Sequence, residues 1–191
     1  MAARINSVDP RAKKVRAKLR DAALALANEG QVDRLTVADI VDRAEVSRQV
    51  FYRHFRDRDD AIAYAFTVAF ASATADIVRD PRARIVALFG FAAEHRAMYR
   101  NVVPSAVTLR VVAAFRAELT PACEQIAAEA AVADIAGLTT ESVSQFLVGG
   151  FIEVLRSWME DGDATDLRGR VTAALDTIGV LLGRSAPAAT V

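Results

Sequence analysis

The chain has 191 residues, of which 53% are hydrophobic and 25% charged, a composition typical of a folded globular protein and not of a disordered one. Its 24 basic and 24 acidic side chains give a formal net charge of zero. The longest uncharged stretch, residues 61–75, is shorter than the roughly 20 apolar residues that a membrane helix needs, so we expect no spanning segment. With one cysteine and no apolar segment in the first 20 residues, we expect neither a disulfide framework nor a secretory signal, and a cytoplasmic location.

The hydrophobic periodicity predicts an all-α protein of about nine helices. The first helix is expected over about 10–28, a short second helix after Thr36, and a third of about seven residues after Ser47. We expect residues 186–191 to form a flexible tail. A fourth helix is predicted from about residue 57, and later ones over about 82–95, 96–102, 104–118, 120–134, 139–159 and 165–183.

The zero net charge hides an asymmetry along the chain. Residues 1–60 hold 13 basic and 10 acidic side chains, whereas residues 61–191 hold 11 and 14. All the lysines of the protein lie near its start, at Lys13, Lys14 and Lys18. This distribution predicts a local positive field around the N-terminal part of the molecule.

The strongest functional signal lies in residues 36–55, TVADIVDRAEVSRQVFYRHF. The Thr36 hydroxyl can cap a short helix, with Asp39 three residues on, and Ser47 can cap the next helix. Two short amphipathic helices joined by a tight turn form a helix-turn-helix, whose second helix can lie in the major groove of DNA. The alternative interpretation is a helical hairpin of a bundle that has no role in DNA binding.

The second helix of this pair carries side chains that suit DNA. Arg48 and Gln49 offer donors to base edges, where arginine pairs with guanine and glutamine with adenine. A hydroxyl, a guanidinium and an imidazole that can meet phosphates follow at Tyr52, Arg53 and His54.

The stretch from about residue 16 to residue 66 resembles the DNA-binding domain of the TetR family of bacterial transcriptional regulators. Its most specific element is Tyr52-x-His54-Phe55 at this spacing after Val46-Ser47. The rest of the chain resembles the family's C-terminal domain only in its helix number and its long final pair of helices. The other matching residues are Ala22-Ala23, Gly30, Thr36-Val37, Asp39-Ile40, Ala44 and the basic Arg58.

The resemblance implies a three-helix DNA-binding domain over residues 1–56 and a helical effector-binding and dimerisation domain over residues 57–185. It implies a homodimeric regulator, expected to be a repressor that binds a palindromic operator and is released by a small molecule. A transcriptional activator and a helical interaction protein that has lost DNA binding are the alternatives. The residues expected to contact DNA are Thr36, Ser47, Arg48, Gln49, Tyr52, Arg53, His54 and Arg58, with Lys13 and Lys14 of the basic arm.

The chain departs from the family's pattern within the predicted turn. Glycine is common in the family where Glu45 stands, and a left-handed glutamate costs up to about 1–2 kcal/mol. This acid either lies near DNA with the wrong sign or points away from it. The family also often has small residues where Gln49 and Val50 lie, so we expect the base-reading surface to be specific to this protein.

The C-terminal part offers candidates for two further surfaces. Its aromatic residues are expected in the core, and the resemblance implies that some of them line a cavity for an effector, which we expect to be hydrophobic. Small residues in the last two helices permit close packing of helices, which predicts a dimer interface there. The cavity candidates are Phe66, Phe70, Phe89, His95, Tyr99, Phe115, Phe146 and Trp158. The interface candidates are Phe146, Gly149, Gly150, Val154, Leu175, Ile178, Gly179, Leu182 and Gly183.

Other classes of site find little support in the sequence. We recognise no paired carboxylates, glycine-rich phosphate loop or nucleophile–base pair, so we expect neither enzyme activity nor a cofactor. The chain has only two histidines and one cysteine, so we do not expect a metal site built from nitrogen and sulfur ligands. Cys123 is expected to pack within an apolar helix, with redox sensing as the alternative.

Overall fold

The computed structural model describes residues 10–103, 105–130, 139–161 and 166–183. Throughout these ranges the regular structure is helical, which confirms the predicted all-α class. No helix in them is long and apolar enough to cross a membrane. The helices are α1 (Pro10–Glu29), a short 3-10 helix (Val32–Arg34), α2 (Val37–Ala44), α3 (Arg48–His54), α4 (Arg58–Thr74), α5 (Pro81–Glu94), α6 (Arg96–Val102), α7 (Thr108–Glu129), α8 (Thr140–Glu160) and α9 (Leu167–Leu181).

The chain packs as two compact units. The first comprises the described residues of 1–68 and 97–111, and the second those of 69–96 and 112–191. The first unit therefore contains the whole predicted helix-turn-helix, together with the start of α4 and most of α6. The predicted functional division at residues 56 and 57 stays a prediction, and the predicted tail lies outside the described residues.

The first unit is built on the contact of α1 with α2. α1 buries Leu19, Ala23 and Leu26, which recur at helical spacing, and α2 buries Ile40 and Val41. Each of the larger side chains contributes roughly 1.5–3 kcal/mol through its burial. This contact holds the helix-turn-helix on a helix that lies outside the motif.

Residues of α6 join the first unit although they lie far away in sequence. The side-chain amide of Asn101 donates to the carbonyl oxygens of Ala27, at 3.0 Å, and Asn28, at 3.3 Å. These carbonyls belong to the last turn of α1, where no helical N–H remains to donate to them. The ring of Tyr99 also lies edge-on to Phe66, with 6.1 Å between the centroids. Asn101 thus caps α1 from a distant part of the chain.

Local hydrogen bonds define the start of α2. The Asp39 N–H donates to Thr36 Oγ1 at 3.2 Å, and the Thr36 N–H donates to Asp39 Oδ2 at 2.8 Å. This reciprocal pair is a capping box, so the predicted helix start at Thr36 is confirmed.

The turn between α2 and α3 has a left-handed residue, Glu45, with φ 55° and ψ 47°. Glu45 is the one non-glycine residue with positive φ in the described part of the chain. Its N–H donates to the Asp42 carbonyl at 3.2 Å and so closes the end of α2. Glu45 therefore has the left-handed backbone that was expected to be strained. The turn adopts this geometry although a β-carbon in the left-handed region costs free energy.

The second unit has an aromatic core. Phe70, Phe89, Phe115 and Phe151 are almost completely buried. The Phe115 ring lies 5.3 Å from that of Phe70 and 5.2 Å from that of Phe89, both edge-on, and Phe89 lies 5.9 Å from Phe151. Edge-to-face contacts at such distances add to the stabilisation that burial provides. Around this core α9 packs against both α5 and α8.

Two predicted helix boundaries are wrong. The helices expected over 104–118 and 120–134 are the single helix α7, which continues through Pro121. Pro121 is exposed, while Leu119 and Ala122 beside it are buried, so packing on the apolar side stabilises the helix although proline removes one backbone hydrogen bond. The last helix ends at Leu181, and Gly183, expected inside it, lies beyond its end with φ 71°. Residues 131–134 are outside the described part.

Replacing Glu45 by glycine should stabilise the fold, because it removes the β-carbon from a left-handed backbone. We expect Glu45→Gly to raise the free energy of unfolding by about 0.5–1 kcal/mol, the relief of strain less the larger entropy of the unfolded glycine chain. Urea denaturation measures the difference. Glu45→Ala is the control, since it removes the charge and keeps the β-carbon. An equal gain in both variants would assign the effect to charge and contradict the backbone explanation.

Candidate nucleic-acid interface

Two aromatic side chains hold α3 against the first unit. Phe51 is completely buried and Phe55, the residue after the helix, is 3% exposed. Their ring centroids lie 5.7 Å apart. The neighbouring apolar residues Val46 and Val50 are only half-buried, so the two phenylalanines are the anchor. The spacing of four residues between Phe51 and Phe55, which places them on one face of the helix, is the signal that identifies the anchor.

Ser47 begins α3. The Val50 N–H donates to Ser47 Oγ at 3.3 Å, and the extended backbone of Ser47 is that of an N-cap residue. The predicted cap and the predicted length of seven residues are both confirmed. Ser47 is exposed, so its position at the start of the helix remains accessible from solvent.

The solvent-facing side of α3 presents four polar side chains. Arg48 and Gln49 are exposed, and Tyr52 and Arg53 follow them one turn later, also exposed. Tyr52 is 59% exposed, and its ring packs edge-on against Phe51 at 5.4 Å, which fixes the direction of its hydroxyl. The structure therefore brings these four predicted residues together on one surface. Guanidinium, carboxamide and phenol groups on such a surface can donate hydrogen bonds to base edges and to phosphates.

His54 lies at the C-terminal end of α3 and is half-buried. Burial lowers the pKa of its imidazole below the usual value, and the nearby charges of Arg16 and Arg53 lower it further. The free protein therefore holds His54 mostly neutral at pH 7. An anion that approached the ring would favour the protonated form.

Three further predicted contacts lie in α1 and at the start of α2. Lys13 and Lys14 are exposed on α1, and neither has an ion-pair partner in the described part of the chain. Thr36 is also exposed, but its hydroxyl donates to Asp39 Oδ2 at 2.8 Å and accepts from the Asp39 N–H. Hydrogen bonds from Thr36 lower the pKa of the Asp39 carboxyl, which stays ionised there.

Arg58, which the resemblance implies as a DNA contact, has several partners within the protein. Its Nη1 donates to the carbonyl oxygens of Val32 and Asp33, both at 3.1 Å, and of Leu35 at 2.9 Å. Its Nε and Nη2 contact Oδ1 of Asp59, at 2.7 and 2.6 Å. The half-buried guanidinium thus ties the 3-10 helix to the start of α4, and these partners occupy the groups that a phosphate would need. Arg58 has a structural role in this fold.

The candidates for an effector cavity fall into separate groups. Phe66 and Tyr99 pack together in the first unit, whereas Phe70, Phe89 and Phe115 form the aromatic core of the second. Burial raises the pKa of the Tyr99 hydroxyl well above its usual value.

The remaining three cavity candidates have different surroundings. His95 follows the end of α5 and Tyr99 lies in α6, so the two side chains do not share the face of one continuous helix. His95 instead donates from Nδ1 to the Phe91 carbonyl at 2.9 Å, and its ring stacks on Phe91. Trp158 is buried with the Arg96 guanidinium 4.5 Å from its ring centroid, and Phe146 is 75% exposed. The chain positions of these residues did not indicate their environments.

The interface candidates on α8 and α9 differ in exposure. Phe146, Gly149 and Gly150 share one exposed face of α8, and a β-carbon placed on either glycine would meet nothing within 4 Å. Leu175 is 1% exposed and packs inside the second unit, so its side chain offers no surface to a partner. The half-buried candidates are Val154, Ile178, Gly179 and Leu182.

Cys123 is completely buried in α7. Burial, followed by the charge of Glu124, raises the pKa of its thiol to about 12. A buried thiol with a raised pKa is a poor nucleophile, which favours the packing interpretation over redox sensing.

Comparison with known proteins identifies the segment and the fold. Residues 19–64 match the family described as "Bacterial regulatory proteins, tetR family". The fold is similar to that of the dihydroxyacetone kinase operon activator DhaS, with a TM-score of 0.66 and 14% identity over 88% of this chain and 96% of that one. No curated protein matches the chain in sequence.

Two further solved structures share the fold. A putative TetR-family transcriptional regulator from Syntrophomonas wolfei has a TM-score of 0.62 and 16% identity over 93% of this chain and 99% of that one. A TetR transcriptional regulator from Streptococcus agalactiae 2603V has a TM-score of 0.61 and 18% identity over 88% and 95%. The resemblance to the TetR family is thereby confirmed, and the chain has the fold of a TetR-family transcriptional regulator.

Arg58 should matter for stability. Arg58→Met leaves the acceptors at Val32, Asp33 and Leu35 without their donor, and we expect the free energy of unfolding to fall by about 1–3 kcal/mol. Arg56→Met is the matched control, because Arg56 makes an exposed ion pair with Asp57, and exposed ion pairs contribute little to stability. Urea denaturation compares the two. Equal losses would contradict the structural role assigned to Arg58.

Proposed function

We propose that this chain, with a TetR-family DNA-binding segment at residues 19–64, is a homodimeric transcriptional repressor that binds a palindromic operator and is released by a small-molecule effector. The observation that carries the proposal is the polar face of α3, formed by Arg48, Gln49, Tyr52 and Arg53. These side chains project from a capped helix that two buried phenylalanines hold in place. A docked helix with an exposed row of donors is what reading of the major groove requires.

The proposed contacts divide into those that read bases and those that position the protein. Arg48 and Gln49 lie in the first turn of α3, the part of a recognition helix that meets base edges. Ser47 accompanies them at the N-cap. Tyr52, Arg53 and His54 follow toward the other end of the helix and would contact phosphates. We propose that Thr36, Lys13 and Lys14 also contact the DNA phosphate backbone. Arg58 is not included, because its donors are bonded within the protein.

The homodimer proposal rests on the exposed face of α8. Phe146 projects into solvent one turn before the exposed Gly149 and Gly150. In a two-fold symmetric dimer, two copies of α8 can pack against each other. The Phe146 ring of each copy can then fill the space above Gly149 and Gly150 of the other copy. Val154 and the half-buried residues of α9 extend this surface. We leave out Leu175, which is buried, and Gly183, which lies beyond the helix.

The direction of regulation and the chemistry of the effector have their own grounds. DhaS, which shares the fold, is named as an operon activator, so activation is the second candidate. For the effector we propose a hydrophobic or amphipathic small molecule, because the second unit has an aromatic core. α4 contributes residues to both units and is the proposed route of coupling. About 1–3 kcal/mol of difference in effector affinity between the two states would suffice for a switch.

A protein of the same fold that has lost DNA binding is the third candidate. Glu45 favours it, because this exposed acid lies in the turn that leads into α3. Against it stand Lys13 and Lys14, which have no ion-pair partner among the described residues, and the four donors of α3. Together they outnumber a single carboxylate at the interface.

Binding to double-stranded DNA tests the function. We expect affinity for a labelled duplex to fall steeply with salt, with a slope of about −0.9 in log K against log salt for each phosphate neutralised. Selection from random duplexes should return a palindrome. Arg48→Ala should then relax one position of each half-site, with about 1–3 kcal/mol lost for the preferred base, whereas Tyr52→Phe should weaken all duplexes alike.

Arg156→Ala is the matched control for this experiment, because Arg156 is exposed but paired with Glu153 and Glu160 in α8. It should leave both the salt slope and the base preference unchanged. Weak, salt-insensitive binding by the unmodified protein would support the interaction-protein alternative instead.

The state of association tests the dimer. Phe146→Glu should convert the dimer to a monomer in sedimentation equilibrium, because it places a charge in the proposed interface. Leu109→Glu is the control, since Leu109 is 81% exposed and lies outside the proposed surface, and it should leave the dimer intact. A dimer that survives Phe146→Glu but not Leu109→Glu would place the interface on α7.

A further inference from the structure

Arg16 of α1 has an unusual environment for an arginine. It is half-buried, and its guanidinium carbon lies 4.1 Å from the centroid of the Tyr64 ring and 5.6 Å from that of Phe55. Its Nε is buried and has no hydrogen-bond partner in the described residues. The half-buried Arg58, by contrast, donates from its Nε to the carboxylate of Asp59 and from its Nη1 to three carbonyl oxygens.

The aromatic rings hold the Arg16 cation without satisfying its donors. Contact with an aromatic face offsets part of the cost of desolvating a guanidinium, but it uses the face of the group and not its N–H bonds. An arginine side chain has five N–H donors arranged in a planar fork. In the described part of the chain no carboxylate or carbonyl oxygen accepts from that fork. Arg16 is therefore oriented by its packing, and no anion lies beside it among the described residues.

The position of Arg16 relates it to the recognition helix. Phe55, one of the two rings beside it, directly follows His54 at the end of α3. Phe55 also packs against Tyr64, with 5.5 Å between the centroids, so both rings belong to one cluster. Burial lowers the pKa of the His54 imidazole, and the charges of Arg16 and Arg53 lower it further. The Arg16 guanidinium, packed on Phe55, thus lies near the C-terminal end of α3, whose last turn carries Arg53 and His54.

We propose that Arg16 binds a backbone phosphate of DNA together with His54, so that a residue of α1 fixes the C-terminal end of the recognition helix on the duplex. A phosphate matches the planar fork of arginine and accepts two parallel hydrogen bonds from it. The negative charge of the same phosphate would also offset the repulsion among the positive groups of Arg16, Arg53 and a protonated His54. This inference rests on the proposed DNA-binding function and adds to it a contact outside the helix-turn-helix.

The competing explanation is that Arg16 only packs against Tyr64 and Phe55. The two explanations differ in what removal of the charge does to DNA binding. A packing role predicts a change in stability, whereas a phosphate contact predicts a change in the salt dependence of binding. Arg16→Met separates them, because methionine retains an unbranched apolar side chain against the rings and removes the charge and the fork.

The test uses the full-length protein and a fluorescent 30-base-pair duplex of random sequence, so that no operator needs to be known. For Arg16→Met we expect an affinity at least about tenfold lower, and a slope of log K against log salt that is smaller by about 1 for each subunit. Arg16→Lys should recover much of the slope but less of the affinity, because an ammonium is a point charge without the bidentate fork. Arg20→Met is the matched control on the same helix, since Arg20 already pairs with Asp21, and it should leave the slope unchanged.

Titration of the His54 ring by NMR gives a second, independent measurement. In the free protein, Arg16→Met should raise the pKa of His54, because it removes a neighbouring positive charge. Addition of the duplex should raise that pKa in the unmodified protein by more than in Arg16→Met. His54→Gln identifies the resonance, since the chain has two histidines.

The salt slope of Arg16→Met decides between the phosphate contact and the packing role. A lower slope in Arg16→Met with an intact fold by circular dichroism supports the phosphate contact. An unchanged slope, with or without a loss of stability, overturns it and leaves Arg16 a packing residue. Should Arg16→Met not fold, Arg16→Lys decides the matter: an affinity well below that of the unmodified protein supports the bidentate phosphate contact, and an unchanged affinity overturns it. Absence of salt-dependent binding by the unmodified protein would overturn the proposed DNA-binding function itself, which is a different outcome from a slope that Arg16 does not affect.

Discussion

The docking of α3 through Phe51 and Phe55 is the constraint on which the interface depends. A helix of seven residues is too short to be stable by itself in water, so its geometry must come from packing. The two rings share one face of the helix and are almost fully buried. Their burial fixes the rotation of α3 about its axis and thereby determines that Arg48 and Gln49 face outward. The Ser47 cap sets where the helix begins, but only the rings set where it points.

Ion pairing within the first unit determines where its positive charge is available. Arg20, Arg43 and Arg56 each lie against a carboxylate, as Arg58 does, so these arginines contribute little to the field around the molecule. The cations left without such a partner in the described part of this unit include the lysines of α1 and the arginines on the outer face of α3. The formal charge of zero therefore coexists with a local excess that is concentrated around the proposed DNA surface.

Signals confined to a few neighbouring residues were predictable from the sequence. The Thr36 capping box, the Ser47 cap and the left-handed Glu45 depend on backbone geometry within one turn, and all three occur in the structure. Features that depend on distant contacts were not predictable. The residues next to Asn101 in the sequence do not indicate that its amide caps α1. Likewise, the sequence around Arg58 does not indicate that its guanidinium donates to three carbonyl oxygens. The periodicity of apolar residues predicts which face of a helix is buried, but it does not predict which other helix packs against that face.

On the proposed function, the small size of α3 makes the dimer part of the DNA-binding mechanism. One short helix reaches only a few base pairs, and a chain without net charge receives little long-range attraction to DNA. Joining two such helices turns the second contact into an intramolecular one, which raises affinity without any new side chain. That gain vanishes when the separation of the helices no longer matches the half-sites. A change in the spacing of the two first units would therefore release DNA even if every side chain of α3 kept its orientation.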